Sequence, residues 1–254
     1  MNTSPTLRSD VLNGRSVLEF DGNDLMVSSA SGSLMDPGAG LTMFYVATGD
    51  QSGDVAARLF QFGSSTNNSG EIVAADLSTT DGEQSGFRFN NGAALYDAPI
   101  DPDAFPIGIL RVIPGEGHNE AQFFVNGLMD ENRFTGNGNN PNNTIMLTDN
   151  DLELILGTGR GDDGGIFSGD FFVGQLAELA IYDRALTTLE MNLVGNYFSN
   201  EYDLAFQYNL DAFVVAIPEP SSVLWIAMFG GWIVMRRRKT MYHFPPLRSK
   251  PIIV

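Results

Sequence analysis

The sequence predicts an all-β domain, a sandwich or a barrel, that closes with one short helix. Between residues 15 and 182 the chain consists of short apolar runs separated by Gly, Asn and Asp, and no long stretch has the helical period. The turn signals recur at the short spacing that is typical of sandwiches and barrels. The 254 residues suffice for one large β domain or two small ones and include no cysteine, so the core must depend on packing alone.

The predicted strands follow one another along the chain. Residues 15–20 precede a turn and then residues 25–27, which suggests a hairpin, and residues 41–48 are apolar on both faces, as in a strand inside a sandwich. Asn126 and Gly127 form a strong hairpin signal because both tolerate positive φ. The other predicted strands cover residues 58–62, 86–90, 107–113, 122–127, 152–157 and 171–183.

A helix is predicted directly after the last strand. Thr187 and Glu190 have the spacing of a capping box, and Leu186 and Met191 have that of a hydrophobic staple. We expect this helix to close the domain by covering a sheet edge. Its stripe toward the sandwich is predicted from apolar residues at i, i+4 spacing, namely Leu189, Leu193, Tyr197, Val194 and Phe198.

Residues 175–202, QLAELAIYDRALTTLEMNLVGNYFSNEY, resemble the closing segment of laminin G-like domains in the concanavalin A-like lectin/glucanase superfamily. VLEFDGNDLMV resembles the early Phe-Asp-Gly strand of that group, and FFVNG resembles its late hairpin. The resemblance implies a jelly-roll sandwich of two antiparallel sheets over residues 1–210, with one short C-terminal helix.

The beginning of the chain differs from what this resemblance and export would require. Family members normally have a strand before the Phe-Asp-Gly segment, and we expect that N-terminal strand to be missing here. MNTSPTLRSDVLNGR also contains no apolar signal region. We therefore expect the natural protein to begin upstream, with a leaderless cytoplasmic protein as the alternative.

Charge divides the chain into an acidic body and a basic tail. After Val215 there are six basic residues and one acidic residue, so the first 215 residues carry 8 basic and 30 acidic groups, a net charge of −22 against +5 for the tail. The acidic body would repel phosphates, which argues against a nucleic-acid partner.

The tail has three consecutive parts: a Pro-Glu-Pro motif, a charge-free run and a basic cluster. A helix over residues 220–235 would be about 24 Å long, shorter than a bilayer core of about 30 Å. The basic cluster would stay on the cytoplasmic side and leave the body outside. The motif is Pro218, Glu219 and Pro220, and the cluster is Arg236, Arg237, Arg238 and Lys239.

This order closely resembles the PEP-CTERM sorting signal of exported bacterial envelope proteins. The resemblance implies a sorting and transmembrane segment at 211–239, a short basic tail at 240–254, and an exosortase-type processing enzyme as partner. It places the protein in the cell envelope or outside the cell, membrane-associated before processing. The alternative is a permanent single-span anchor.

Catalytic chemistry is not expected from the sequence. Related glucanases carry a Glu-x-Asp-x-x-Glu strand that has no counterpart here, and Glu178 and Asp183 are five residues apart, on opposite faces of a strand. His118 has no partner implied by the sequence. We expect a binding or structural module with a polysaccharide or protein ligand, and keep a divergent glycoside-active enzyme as the alternative.

One Gly-rich acidic loop offers the only metal hypothesis. Asp162, Asp163 and Asp170 could supply the oxygen ligands that calcium favours. A solvated acidic loop without metal explains the same residues, so calcium is a weaker expectation.

Overall fold

We describe the fold from a computed structural model, which covers residues 4–28, 40–49, 58–64, 71–76, 84–89, 95–96, 98–99, 104–113, 121–129, 133–134, 152–159, 171–208 and 252–253. Sixteen strands and one helix lie in these ranges. In chain order they are β1 (Thr6–Leu12), β2 (Arg15–Asp21), β3 (Met26–Ser28), β4 (Leu41–Gly49), β5 (Arg58–Ser64), β6 (Glu71–Asp76), β7 (Gln84–Phe89), β8 (Leu95–Tyr96), β9 (Ala98–Pro99), β10 (Ile107–Val112), β11 (Ala121–Val125), β12 (Leu128–Met129), β13 (Arg133–Phe134), β14 (Leu152–Leu156), β15 (Val173–Tyr182), α1 (Thr188–Tyr202) and β16 (Ile252–Ile253).

Fourteen of the sixteen strands form two antiparallel sheets that pack face to face, β8 and β13 pair with each other separately, and the all-β prediction is confirmed. The first sheet has the order β1-β2-β15-β4-β10-β11-β12, with β16 added beside β15, and the second has the order β3-β14-β5-β6-β7-β9. One buried cluster joins them: Tyr45 and Leu179 from the first sheet pack with Phe60 and Leu156 from the second. This burial between two sheets is the main source of stability.

Strand β4 is buried on both faces, as its sequence predicts. Met43 and Tyr45 face the second sheet, whereas Phe44 and Val46 face the opposite way and belong to a second buried cluster with Phe198 of α1. The helix therefore covers the outer face of the first sheet, and the expectation that it covers a sheet edge was wrong, because its buried side chains pack on the interior strands β4, β10 and β15. The sheet has an apolar layer on each side.

A strand does precede the Phe-Asp-Gly segment, so the expectation that it is missing was wrong. Strand β1 pairs antiparallel with β2 through a tight turn at Asn13 and Gly14, which both have positive φ. The strand was missed because it is almost entirely exposed and has few apolar residues. The Asn-Gly turn was the signal that could have revealed it.

The predicted hairpin between residues 15–20 and 25–27 was also wrong. Strand β2 lies in the first sheet, but β3 pairs with β14 in the second. The turn between them is held by its own side chains, because Asp24 Oδ2 accepts from the Asp21 amide at 3.0 Å and Asp21 Oδ1 accepts from the Asn23 amide at 3.2 Å. The turn thus carries the chain from one sheet to the other.

The hairpin at Asn126-Gly127 is confirmed. Asn126 and Gly127 have φ values of 50° and 83°, and they join β11 to β12. The side-chain oxygen of Asn126 also accepts a hydrogen bond from the Ile107 amide at 2.8 Å, and the backbone carbonyl of Asn126 accepts one from the Gln207 amide. The turn is therefore attached both to β10 and to the segment after α1.

The capping box of α1 is confirmed, but the predicted stripe was partly wrong. Val194 and Phe198 pack toward the sheet as expected, whereas Leu189, Leu193 and Tyr197 are 43%, 48% and 47% exposed. The buried face centres instead on Gly195, where a Cβ would lie 2.1 Å from the Phe206 ring. The segment after the helix packs closely against Gly195 through Phe206. This contact determines which face of α1 is buried, and the i, i+4 pattern of apolar residues did not identify that face.

Candidate functional site

A β-bulge in β15 creates the candidate site on the outer face of the first sheet. Along β4, Ala47 pairs with Leu176 and the next residue, Val46, pairs with Glu178, so Ala177 is an extra residue in β15. A bulge re-aims the side chains that follow it. Leu176 and Leu179 face the core between the sheets, whereas Glu178 lies on the opposite face, beneath α1.

Two tyrosines of α1 hold the Glu178 carboxylate. Tyr202 donates its hydroxyl to Oε2 at 2.7 Å, and Tyr197 donates to Oε2 at 3.2 Å and lies 3.4 Å from Oε1. Glu178 is only 5% exposed. Burial raises its pKa above the ordinary value, the two phenol donors oppose that rise, and the nearby Glu201 adds to it.

The same contacts suppress ionisation of the phenols. Burial, together with the charge of Glu178, raises the pKa of Tyr197 to about 12, and it raises the pKa of Tyr202 further. Both tyrosines therefore remain neutral donors at physiological pH. The arrangement is suited to holding a carboxylate in place, because the two phenols that contact it stay protonated and donate to it.

A groove of about 240 Å³ lies alongside α1, next to this cluster. Its described lining is apolar and aromatic except for one carboxylate. The half-exposed ring of Tyr197 lies at the groove and also bonds Glu178, so the groove and the buried cluster share a residue. The lining residues are Tyr182, Leu186, Glu190, Leu193, Val194 and Tyr197.

The carboxylate in the groove, Glu190, is already committed to two structural roles. It pairs with Arg184 through two short bonds, at 2.7 and 2.8 Å, and it accepts from the Thr187 amide at 2.9 Å as part of the capping box. The Arg184 hydrogen bonds are the largest effect that lowers the pKa of Glu190, which falls to about 2. Glu190 is therefore ionised and paired, and it is a poor proton donor.

The described residues on both sides of the acidic loop, Gly159 before it and Phe171 after it, lie next to one buried arginine, Arg58. Arg58 is 1% exposed and donates to Gln61 Oε1 at 3.1 Å. A Cβ on Gly159 would lie 2.3 Å from Arg58 Nη1, and Phe171 forms a bridge with Arg58. Phe172 also donates to the Gly157 carbonyl at 2.9 Å, so the two ends of the loop are closed together.

The residues of that loop are not themselves described. Asp162, Asp163 and Asp170 lie outside the described ranges, so the calcium hypothesis stays a prediction. Within the ranges that are described, no three His, Cys, Asp or Glu side chains are grouped to hold a metal. What the structure adds is a buried guanidinium at the base of the loop, which requires negative or polar partners nearby.

Of the other candidate residues in the sequence, one is described by the structure and the rest are not. Asp183 is exposed just beyond the end of β15, separate from Glu178. Pro218, Glu219, Pro220, the basic cluster 236–239 and His118 all lie outside the described ranges. In the part of the chain that the structure describes, no helix has the length and apolar character needed to cross a bilayer.

Sequence reasoning missed both buried ionic clusters. Tyr197 and Tyr202 are five residues apart in the helix and meet at Glu178 only because β15 is bulged beneath them. The sequence predicts a strand over residues 58–62 and indicates no role for its first residue, Arg58. The apolar residues that follow Arg58 in the strand, Leu59, Phe60 and Phe62, were the available signal that its guanidinium would be buried.

Comparison with known proteins supports the fold and leaves the function open. No protein-family model and no curated protein sequence matches the chain. Among solved structures, the heptameric SAP-like pentraxin from Limulus polyphemus has a TM-score of 0.51 at 15% identity, over 70% of this chain and 80% of the pentraxin. Trypanosoma rangeli sialidase has a TM-score of 0.51 at 12% identity, over 74% of this chain but only 28% of the sialidase. Both similarities indicate the jelly-roll, concanavalin A-like fold, which agrees with the fold implied by the sequence resemblance.

Proposed function

We propose that this protein is a binding or structural module of the cell envelope or extracellular matrix, with a polysaccharide as its ligand. The observation that carries the proposal is the groove beside α1. It presents apolar and aromatic side chains, and its carboxylate is neutralised by Arg184. Such a lining is suited to binding rather than to acid–base chemistry.

Tyr197 is the residue we expect to contact a sugar. Its ring is half-exposed at the groove, while its hydroxyl is held by Glu178, so the ring is fixed in one orientation before any ligand arrives. A fixed aromatic ring offers contact area at little entropic cost. The groove volume is slightly below the ~300 Å³ at which small-molecule pockets begin, which favours one ring of a longer chain over a fully enclosed ligand.

Charge narrows the ligand class. The body carries a net charge of −22, which disfavours approach of anionic polysaccharides. We therefore propose a neutral polysaccharide. Calorimetry with the full chain should give measurable binding of neutral oligosaccharides, with cello-oligosaccharides as the first probe and alginate oligosaccharides as the anionic comparison.

The binding test has a matched control on the same part of the molecule. Tyr197→Ala should weaken binding at least tenfold, and Tyr197→Phe should retain it because the ring remains. Tyr208→Ala removes another exposed tyrosine that lies outside the groove lining and should leave binding unchanged. Equal affinities for Tyr197→Ala and the unchanged protein would place the ligand elsewhere.

A glycoside-active enzyme is the second proposal, and Glu178 is the residue that favours it. A buried carboxylate with a raised pKa is a feature of catalytic acids. Glycoside hydrolysis also requires a second carboxylate about 5–9 Å away, with access for the sugar, whereas Tyr197 and Tyr202 cover Glu178. Release of reducing sugar that disappears in Glu178→Gln would establish the enzyme and displace the binding module.

For the tail we propose processing by an exosortase-type enzyme at Pro218-Glu219-Pro220. The two prolines keep the backbone around Glu219 extended and open to a peptidase. Mass spectrometry of the native protein should find a C-terminus near Pro220. Intact peptides that run from residue 221 to residue 254 in the mature protein would identify a permanent anchor instead.

Calcium binding by the acidic loop is proposed as a secondary property. Titration calorimetry with calcium should show binding that Asp162→Ala and Asp163→Ala abolish together. Heat signals that are unchanged in both variants would identify the loop as a charged surface without a metal site.

A further inference from the structure

The C-terminal half of β15 extends beyond its neighbour β2. Pairing with β2 runs from Val173 to Leu176 and ends there, whereas pairing with β4 continues to Tyr182. On the side of β2, residues 177–182 therefore present a strand edge. Edges of this kind readily accept an additional strand through their backbone N–H and C=O groups.

The last residues of the chain pair with this edge. Strand β16 is antiparallel to β15, with Ile252 opposite Ile181 and Ile253 opposite Ala180. Isoleucine favours the extended conformation, and Pro251 directly precedes the strand, a position where proline is tolerated. Residues 209–251 lie between the end of the described body and this strand, so the chain has ample length to return.

We propose that β16, Ile252–Ile253, acts as a capping strand that docks on the β15 edge of the same molecule and closes it. Opposite charge favours contact between a tail and a body, because the tail carries +5 and the body −22. The covered edge is next to the groove, since Tyr182 of β15 is one of the groove's lining residues. The capping strand thus occupies an edge that would otherwise pair with another chain.

Docking and membrane insertion of the tail exclude each other. If residues 220–235 spanned a bilayer once, as the sorting-signal proposal requires, residues 252–253 would lie on the opposite side from β15. The capping strand must therefore leave β15 before the tail is inserted, and removal of the tail would uncover the edge permanently.

Disulfide trapping in the full chain tests the pairing directly, because the protein has no cysteine of its own. Ala180→Cys combined with Ile253→Cys places two thiols at directly opposite positions in the register, within the Cα separation that a disulfide needs. Ala180→Cys combined with Lys250→Cys is the matched control. Position 250 precedes Ile253 by three residues in the sequence and is not the partner of Ala180 in the register.

The full chain, purified in detergent and oxidised under mild conditions, should form an intramolecular disulfide at least tenfold more in the 180/253 pair than in the 180/250 pair. Non-reducing electrophoresis and peptide mass spectrometry distinguish the cross-linked monomer from a dimer. Equal yields in the two pairs would overturn the proposal. A predominant 180–253 disulfide between two molecules would overturn docking within one molecule and identify strand exchange between copies.

Discussion

Glu178 and Arg58 are two almost completely buried ionic groups on different sheets of the sandwich, and their surroundings differ. Glu178 faces α1 and is held by two neutral phenols, whereas Arg58 lies at the closed ends of the acidic loop and donates to the Gln61 side chain. A carboxylate can lose its charge by binding a proton, but a guanidinium stays charged at any pH that a protein experiences. The fold can therefore surround Glu178 with neutral partners. The buried charge of Arg58, by contrast, always needs polar or negatively charged partners.

This difference predicts that the largest loss of stability comes from Arg58. Arg58→Leu should lower the free energy of unfolding by about 3–5 kcal/mol, because the partners of the guanidinium become buried and unpaired. Urea unfolding of the full chain measures the loss. Arg58→Lys keeps the charge without the planar fork and should lose less, and a loss below about 1 kcal/mol for Arg58→Leu would show that the buried cation is dispensable.

The phenol donors of Glu178 rank next, and they are expected to differ from each other. Tyr202→Phe removes a 2.7 Å bond to a buried carboxylate and should lower the free energy of unfolding by about 1.5–3 kcal/mol. Tyr197→Phe removes a longer bond at the exposed groove and should lower it by less than about 1 kcal/mol. Each variant removes one phenol oxygen from the same helix, so the two losses can be compared directly. A larger loss for Tyr197→Phe than for Tyr202→Phe would refute the view that Tyr202 is the principal donor.

The half-exposed pair of Glu190 and Arg184 should have a smaller effect. Glu190→Gln can still complete the capping box, so the variant loses mainly the ion pair, about 0.5–1 kcal/mol at neutral pH. Because folding lowers the pKa of Glu190 from 4.5 to about 2, its contribution is present above pH 4.5 and disappears as the pH falls toward 2. Thermal unfolding at pH 7 and pH 2.5 should show the difference between variant and unchanged protein shrinking, and a constant difference would contradict this assignment.

Glu178→Gln should change the stability least, by less than about 1 kcal/mol at neutral pH, since the amide oxygen can still accept from Tyr202. Its pH dependence should have the opposite sign to that of Glu190. Burial raises the folded pKa of Glu178, so its contribution is fully present below the unfolded value near 4.5 and is lost as the pH rises through the folded pKa. The variant should therefore gain relative to the unchanged protein between pH 4 and pH 8 in urea titrations. A relative loss over that range would mean that the carboxylate is stabilised in its charged form.

Much of the fold was predictable from residues that act locally. The doubly apolar strand β4, the Asn126-Gly127 turn and the Thr187–Glu190 capping box all depend on neighbours within a few positions, and all three are present. The two expectations about strands that were wrong concerned segments where local pattern carries little information. Strand β1 is exposed on both faces, and the turn at residues 21–24 fits a hairpin as well as a crossing between sheets.

Local sequence patterns predict an all-β domain, a sandwich or a barrel, closed by one capped helix, with an acidic body and a basic tail, because periodicity, turn chemistry and charge are properties of neighbouring residues. Only the tertiary structure decided the bulge that turns Glu178 toward α1, the face on which Tyr197 and Tyr202 meet it, and the return of Ile252 to the edge of β15. These contacts join residues that are at least 19 positions apart in the sequence. They depend on which surfaces pack together, and the spacing of residues along one chain leaves that choice open.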